Sequence, residues 1–493
     1  MFKDLFPRPD GFGIKANLLP RSIYAVLSEL VSMMPIACGQ YYWVYMLAPL
    51  NYRKFSSYII GWLTMLAWIA TVAIESLFAG TMIQGILTLN YPTYDSKQWQ
   101  GTLFTWAVIA VNVFINVVTP DFLPKFELMI LVLHLVGFVA IIATLLSKAE
   151  LGSTSSVWLT AFNGGGWPTQ GLSYCVGFLG NVATFVGADA SVHLAEEVAY
   201  AQLTIPRAIC TSVIANGIIG FAMMIAVLYC LGDANSVVQT PTRFPFIEIF
   251  SNSVKSVGGA IGMSVIVLIL TWGAATGITT SASRMTWSFA RDKGTPFSQY
   301  LGMVSKNSGI PVIAVSVVTI FAALLVLIYI SSYATFNDVI SLTITGFYTS
   351  YFLPCALLLY RRAKGQIRPY GSSLPQMPGP KSTLAWGPWR LPGVFGTINN
   401  AYACVYMIFV IFWSVWPPAT PVFANTMNYS IVITGGVIIL SSIWYVVWGN
   451  REYYGPVNEL EEELANEPEG EAVNEHEGEV VKMSNLRVES YQR

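Results

Sequence analysis

The sequence predicts an all-α protein that crosses a membrane many times. The first observation is composition: of 493 residues, 54% are hydrophobic and only 11% are charged, too few charges to cover a soluble surface of this size. The second is a series of apolar runs of about 20 residues, the length that a helix needs to span a bilayer. The third is that basic residues are concentrated in alternate loops between these runs.

Each apolar run is predicted to be a membrane-spanning helix. Two runs contain residues that interrupt a helix, namely Glu29, Pro35 and Gly39 in the first and Gly187 in the fifth. The eleven predicted spans lie near residues 22–47, 57–87, 103–118, 126–146, 172–198, 208–231, 258–289, 311–330, 339–360, 395–416 and 429–448.

The loop charges predict the orientation of these spans. Lys and Arg in short loops mark the cytoplasmic side. The intervening loops hold few basic residues. The alternate loops that contain most of the Lys and Arg residues, here called the basic set, are therefore predicted to be cytoplasmic, and so is the C-terminal tail. The aromatic run that begins at Gln40 is predicted to form an interfacial belt at the inner end of the first span. The basic set is Arg53, Lys54, Lys125, Arg207, Arg291, Lys293, Lys306, Arg361, Arg362, Lys364, Arg368, Lys381 and Arg390.

The N-terminal segment contradicts this count at one place. Counting back through eleven spans puts residues 1–21 outside, yet Lys3, Arg8, Lys15 and Arg21 predict a cytoplasmic segment. Either the first run does not cross the membrane, or a span that should precede it is absent from this chain. The segment has no apolar core or cleavage site of a signal peptide.

Composition also predicts the domain organisation. Residues 1–21 form a basic N-terminal stub, residues 22–450 the transmembrane domain, and residues 451–493 a disordered acidic tail. Residues 459–479 contain ten glutamates and no Lys or Arg. The six cysteines have no metal-ligand spacing, so we expect no metal, no cofactor and no disulfide framework. Nothing in the charge pattern indicates a nucleic-acid partner.

The interrupted fifth span is the predicted binding site. Helices that break inside a membrane are a usual place for a transporter's site, because freed backbone groups must face protein or a wet cavity. The candidate residues are Phe185, Val186, Gly187, Ala188 and Asp189. Gly187 permits close approach of a ligand, although tight helix packing also uses glycine. The Phe185 ring could cover an ammonium group, or it could be a core or lipid-facing aromatic.

Each acidic residue after the break has two interpretations. Asp189 is predicted to cap the second half-helix, to contact a cationic substrate or a proton, or to do both. Glu196 and Glu197 lie one to two turns farther, close to Arg207 in the sequence, and are predicted to form an inner gate or a structural ion pair.

Four sequence segments carry a resemblance to a known family. The first segment, residues 28–44, contains Ser28-Glu29-Leu30 and Cys38-Gly39-Gln40-Tyr41-Tyr42-Trp43-Val44. The second, residues 185–197, contains Phe185-Val186-Gly187-Ala188-Asp189-Ala190 and His193-Leu194-Ala195-Glu196-Glu197. The third is Ile205-Pro206-Arg207-Ala208-Ile209, and the fourth is Phe289-Ala290-Arg291-Asp292-Lys293-Gly294-Thr295-Pro296. The chain resembles the fungal amino acid and choline transporters of the amino acid-polyamine-organocation superfamily, over residues 23–454.

The resemblance implies twelve spans, the first ten in two inverted repeats of five helices. It aligns residues 22–47 with helix two, so helix one has no counterpart in this chain. Thr271 and Trp272 lie in the segment that resembles helix eight, which lines the site in the superfamily, although core packing also explains them. Glu75 and His134 could carry a coupled proton, or each could form an interhelical hydrogen bond.

The sequence thus predicts a secondary carrier rather than an enzyme. We expect it to import an amino acid, choline, GABA or a related small amine across the plasma membrane, with protons as the coupling ion. The alternative is a non-transporting nutrient sensor or an inactive, truncated carrier. The sequence has no catalytic triad, histidine cluster or metal-ligand pattern, and no nucleotide-binding motif that would indicate a primary pump.

Overall fold

The computed structural model describes residues 11–306, 308–331, 333–372, 384–423 and 427–456. Within these ranges the chain is helical, and β pairing is confined to an isolated bridge between Arg368 and Ala385. The helices belong to a unit that extends to Gly455. Of the predicted acidic tail, residues 451–493, the structure describes residues 451–456, and the glutamate-rich part, residues 459–479, lies outside the described residues.

Long helices alternate with short ones along the described chain. In order, they are α1 (Gly11–Met33), α2 (Gln40–Leu47), α3 (Leu50–Asn90), α4 (Gln98–Val117), α5 (Leu123–Lys148), α6 (Thr154–Trp158), α7 (Gln170–Gly177), α8 (Leu179–Ala183), α9 (Ala201–Tyr229), α10 (Ala234–Val238), α11 (Pro245–Val254), α12 (Val257–Arg291), α13 (Ser298–Leu301), α14 (Val312–Val326), α15 (Ile328–Ser331), α16 (Tyr333–Ala363), α17 (Gly393–Ser414), α18 (Ser430–Trp444) and α19 (Asn450–Glu452), with 3₁₀ segments at Pro120–Phe122 and Ala190–Glu197 and a π turn at Tyr445–Gly449.

Nine helices of the described chain are long and apolar enough to cross a membrane. They correspond to nine of the eleven predicted spans. The other two predicted spans, residues 22–47 and 172–198, are the ones that the structure divides into shorter helices. The all-α, multi-span fold class is therefore confirmed, whereas the inverted repeat stays a prediction.

The first predicted span is divided between Met33 and Gln40. Helix α1 ends before Pro35, which has no backbone N–H to continue the helix. Gly39 has φ of 59°, a conformation that favours glycine, and α2 starts at the next residue. The linker, residues 34–39, therefore turns the chain sharply between two helices.

The predicted aromatic belt after the linker is wrong. Tyr41, Tyr42 and Trp43 are at most 5% exposed and lie inside the protein. The Trp43 indole N–H donates to the carbonyl oxygen of Met34 at 3.1 Å. The aromatic run is thus covered by other parts of the chain, so α2 is an internal helix rather than a membrane-interface anchor.

Helix α1 also begins earlier than predicted, since residues 11–21 continue it without a break. Its neighbour is α9, and Ser28 Oγ lies 3.4 Å from Cys210 Sγ. The guanidinium of Arg21 lies beside Gly217 of α9, about 15 Å along that helix from Arg207. The cytoplasmic position of residues 1–21 stays a prediction.

Helix α3 forms the centre of the protein. It packs against α2, α4, α12 and α16. In its most apolar stretch of 18 residues, 78% of the stretch is buried inside the protein. The corresponding share is 17% for α5 and for α18, whose outward faces carry exposed apolar residues. Apolar residues all round a helix suit a membrane, where lipid covers what the protein does not. Elements packed on α3 therefore position the candidate site.

Candidate functional site

The predicted binding turn is non-helical, as its sequence indicated. Helix α8 ends at Ala183, turns occupy residues 184–189, and a 3₁₀ segment begins at Ala190. Gly187 has φ of 83°, and a Cβ placed there would lie 3.8 Å or more from its nearest neighbour, Trp68. Backbone conformation rather than tight packing therefore explains this glycine. Val186 and Ala188 beside it are half-buried.

Asp189 is fully buried at the end of this turn. Its Oδ2 accepts a hydrogen bond from Gln40 Nε2 at 2.5 Å, and its Oδ1 accepts one from the Tyr351 hydroxyl. The side chain makes no capping hydrogen bond to the 3₁₀ segment. The predicted capping role is therefore wrong, because both carboxylate oxygens are turned to α2 and α16 instead. The charge-based role of Asp189 stays a prediction.

The partners of Asp189 are both neutral. Among the described residues, no Lys or Arg forms an ion pair with this carboxylate. An isolated buried anion is costly in a membrane protein unless it meets a cation, a proton or water. The structure thus holds a buried carboxyl group without a cationic partner among the described residues at the interrupted span.

His193 lies one turn after Asp189 and is also buried. The Trp68 indole N–H donates to His193 Nε2 at 3.0 Å, and Nδ1 lies 2.8 Å from the carbonyl oxygen of Ala37. Since an indole nitrogen only donates, Nε2 must be the accepting nitrogen and Nδ1 must carry the proton. These contacts fix the imidazole in its neutral form, so His193 does not balance the charge of Asp189.

Phe185 lies in the core rather than facing lipid. Its backbone carbonyl accepts a hydrogen bond from the Tyr24 hydroxyl, and its ring is 8% exposed and packs toward Gly217. The aromatic ring nearest to Gly187 belongs to Trp68. The ring close to Gly187 is thus that of Trp68, and Phe185 contributes its ring to the packing against α9.

Thr271 and Trp272 are not brought to Asp189. The Thr271 hydroxyl donates to Val267 O of its own helix at 3.0 Å, and the Trp272 ring packs edge-on against Phe126 of α5 at 5.3 Å between centroids. Helix α12 reaches the 3₁₀ segment through Ser281, whose hydroxyl donates to Ala190 O at 3.3 Å. Ser281 is about 15 Å along the helix from Thr271. The structure supports the core-packing interpretation of these two residues.

Glu75 and His134 lie apart from this cluster. Glu75 follows Trp68 on the same face of α3, about 10 Å along the helix axis. His134 is half-buried on α5, between Ile130 and Gly137, whose contacts are with α12. Neither residue contacts Asp189 in the structure, so proton coupling by either stays a separate prediction.

Glu196 and Glu197 both form ion pairs. Glu196 lies 3.3 Å from both terminal nitrogens of Arg291, and Glu197 Oε1 lies 3.1 Å from Arg284 Nε. The partners lie on α12, because the 3₁₀ segment turns these carboxylates toward that helix. The pairs lie where α9 begins and α12 ends, a place that we call the basic end because it carries Arg207 and Arg291.

The sequence reasoning missed most of the residues that surround Asp189. Gln40, Trp68 and Tyr351 come from α2, α3 and α16, far from residues 185–189 along the chain. Only His193 carried a usable signal, since it follows Asp189 by one helical turn. No group of three or more His, Cys, Asp and Glu side chains in the described part of the chain could hold a metal ion.

Comparison with known proteins gives consistent results over most of the chain. A family model described as amino acid permease matches residues 20–437. The chain is 28% identical to a putative amino acid/polyamine transporter of Macrophomina phaseolina, over 82% of this chain and 86% of that protein. It is 27% identical to a choline transporter of Saccharomyces cerevisiae, over 89% and 74% of the two chains. It is 29% identical to a swainsonine transporter of Arthroderma benhamiae, over 87% and 81%.

Proposed function

Because the chain belongs to the amino acid permease family, whose members are transporters and not enzymes, we propose that it imports a small amine-bearing solute. The candidates are an amino acid, choline, GABA or a related small amine. The coupling ion is the proton, and the membrane is the plasma membrane.

The observation that carries the proposal is that the buried carboxyl group of Asp189 has no cationic partner among the described residues. Its two hydrogen-bond donors, Gln40 and Tyr351, are neutral. A charged nitrogen on the substrate would supply the missing positive charge. The half-buried turn beside it, residues 186–188, gives such a nitrogen a place to approach.

The names of the relatives agree with this chemistry. Choline carries a quaternary ammonium group, and amino acids and polyamines carry protonated amines. All three present a positive charge that suits a buried carboxylate. Aromatic faces also attract such cations, and the Trp68 ring lies close to Gly187 of the turn. The shared feature of the proposed substrates is thus the cation.

Proton coupling would use the same carboxylate. Asp189 can hold either a substrate cation or a proton, so a proton can stabilise the empty carrier during its return. His193 is poorly suited to this task, because a second proton on its ring would break the hydrogen bond from Trp68. Glu196 and Glu197 would act as an inner gate through their pairs with Arg291 and Arg284.

A panel of labelled solutes tests the proposal. The chain is expressed in yeast cells that lack their own choline, amino acid and polyamine carriers, and its amount at the plasma membrane is measured. We expect saturable uptake of at least one cationic or zwitterionic solute, faster in acidic than in neutral medium. If the chain reaches the surface and takes up no member of the panel, the proposal is wrong and a non-transporting sensor becomes the better account.

A further inference from the structure

The linker between α1 and α2 is attached to the 3₁₀ segment that follows Asp189. Glu196 Oε1 accepts a hydrogen bond from the backbone N–H of Ala37 at 3.3 Å. His193 Nδ1 donates to the carbonyl oxygen of the same residue at 2.8 Å. Both polar groups of one peptide residue are therefore held by the segment that begins at Ala190.

Gln40 provides a third attachment at the start of α2. Its Nε2 donates to Asp189 Oδ2 at 2.5 Å, and its Oε1 is buried without a hydrogen-bond partner. Among the described residues, Asp189 alone holds this amide group. The strength of the attachment therefore depends directly on the charge of Asp189.

The space between the linker and the 3₁₀ segment is small. A Cβ placed on Gly39 would lie 3.2 Å from His193 Cε1 and 3.3 Å from Val192 Cγ1. Close packing of this kind leaves the two elements little freedom to slide past each other. Movement of one requires either movement of the other or loss of the three hydrogen bonds.

Helix α12 closes the linker from the other side. Cys38 Sγ lies 3.1 Å from Ser288 Oγ and 3.5 Å from Asp292 Oδ2, and the side chain is fully buried. Arg291, which pairs with Glu196, is the last residue of α12. The linker is thus clamped between α12 and the 3₁₀ segment at the basic end of the bundle.

We propose that Gln40 couples a cation at Asp189 to release of the linker, and so to opening of the basic end. The inference rests on the proposed function, because it takes Asp189 to be the cation site. A hydrogen bond to a carboxylate is about twice as strong as one between neutral groups. A cation that binds Asp189 competes for Oδ2 and weakens the Gln40 attachment, so that on the side of the 3₁₀ segment only the two hydrogen bonds of Ala37 still hold the linker.

The other groups that face Asp189 do not have this effect. They are the hydroxyls of Tyr351 and Tyr24, on α16 and α1, and the neutral ring of His193. None of them is positively charged. His193 does contact the linker through Ala37, but both of its ring nitrogens are hydrogen-bonded away from Asp189, so a cation at Asp189 does not compete with that contact. Gln40 is therefore the residue that transmits the charge state of Asp189 to the linker.

Cys38 is a native reporter for this movement. It is shielded while the linker is clamped, and it becomes reachable from the cytoplasmic side once the linker is released. The experiment treats membranes containing the full chain with a membrane-impermeant thiol reagent applied at the cytoplasmic face. Mass spectrometry then measures the rate at which the Cys38 peptide is modified, so that the other cysteines need not be replaced.

Three variants test the coupling. Gln40→Leu removes the donor, Asp189→Asn keeps an acceptor without the charge, and the third combines both. We expect Asp189→Asn to raise the Cys38 modification rate about five- to tenfold, the difference between a charged and a neutral hydrogen bond, and Gln40→Leu, which removes the whole bond, to raise it at least as much. The double variant should match Gln40→Leu, because both changes act through one bond.

Gln84→Leu is the matched control. Gln84 is a buried glutamine of α3 whose Nε2 donates to Lys97 O at 2.9 Å, in a loop outside the basic end. This variant should leave the Cys38 rate unchanged. If Gln40→Leu does not reach the membrane, Gln40→Met removes the same donor with an unbranched side chain.

The outcomes separate this inference from the proposed function. Unchanged rates in both single variants, or a double variant whose effect is the product of the two, would overturn the role of Gln40 even if the solute panel shows uptake. Raised and non-additive rates in a chain that takes up no solute would keep the coupling and overturn the transport proposal.

Discussion

Two buried aspartates of this protein, Asp189 and Asp292, have opposite surroundings. Both accept a hydrogen bond from a tyrosine hydroxyl, Tyr351 for Asp189 and Tyr41 for Asp292. Asp292 also lies 4.0 Å from the Nε of Arg291, whereas the partners of Asp189 are neutral. The comparison teaches that burial alone does not distinguish these two carboxylates. They differ in counter-charge, and under the proposed function its absence at Asp189 leaves an attraction for a cationic ligand to satisfy.

Substitution of the glycine that lies near each aspartate should give the largest difference between the two sites. A Cβ on Gly294 would collide with the Phe289 ring, whereas a Cβ on Gly187 meets only ordinary contacts. Gly294→Leu should therefore prevent accumulation of folded protein at the membrane. Gly187→Leu should abolish uptake while surface expression stays intact, since its left-handed backbone costs only about 1–2 kcal/mol. Surface blotting and uptake assays measure both, and normal uptake by Gly187→Leu would sink the binding-turn assignment.

Removal of the paired aspartate should mainly affect stability. Asp292→Ala leaves the Tyr41 hydroxyl without its acceptor, at a cost of about 1–3 kcal/mol for a buried polar group. We expect a lower melting temperature of the purified protein in detergent. Asp292→Asn, which keeps an acceptor, is the matched control and should lose less. Equal melting temperatures for the wild type and Asp292→Ala would contradict the structural role.

Removal of the tyrosine hydroxyl beside Asp189 should have a moderate effect on uptake. Tyr351→Phe deletes one of the two donors to the carboxylate and leaves the charge in place. A hydrogen bond to a carboxylate contributes about 1.5–3 kcal/mol, but because this bond is present without substrate we expect a change of only about a few-fold in the apparent affinity for substrate. Concentration-dependent uptake measures it. Tyr348→Phe changes the neighbouring tyrosine of α16 and should have less effect, so a larger loss in that variant would argue against contact through Asp189.

The exposed ion pair should give the smallest effect. The Glu196 and Arg291 side chains are 35% and 20% exposed, and partly exposed pairs contribute about 0–1 kcal/mol. Glu196→Gln should therefore change the melting temperature little and the transport rate by about fivefold at most. A complete loss of uptake in this variant, with protein still at the surface, would show that the pair does more than hold a gate closed.

The sequence predicts the helices better than it predicts their contacts. Apolar runs and basic loops identify the spans, because lipid imposes length and composition on any helix that crosses it. Pro35 and Gly187 also mark the two interruptions correctly, since their effect is on the local backbone. These features need no knowledge of which helices pack together.

The partners of Asp189 depend on that packing. Gln40 is 149 residues away along the chain and Tyr351 is 162 residues away, so no local pattern connects them to the turn. The same limitation explains two errors. The sequence predicts that Asp189 caps the next helix and that Tyr41 lies at the membrane interface, because only neighbours along the chain can be read from a sequence. In the fold, residues from distant helices contact these side chains instead.

Substrate affinity in Asp189→Asn is the most direct test of a cation site at the interrupted span. The labelled solute identified by uptake is bound to equal amounts of purified wild type and variant, each shown to be folded by its melting curve. If Asp189 supplies the counter-charge for the bound cation, the variant should bind at least about tenfold more weakly, and each tenfold loss corresponds to about 1.4 kcal/mol. Equal affinity, with the same dependence on pH in both proteins, would show that the charge of Asp189 is not used.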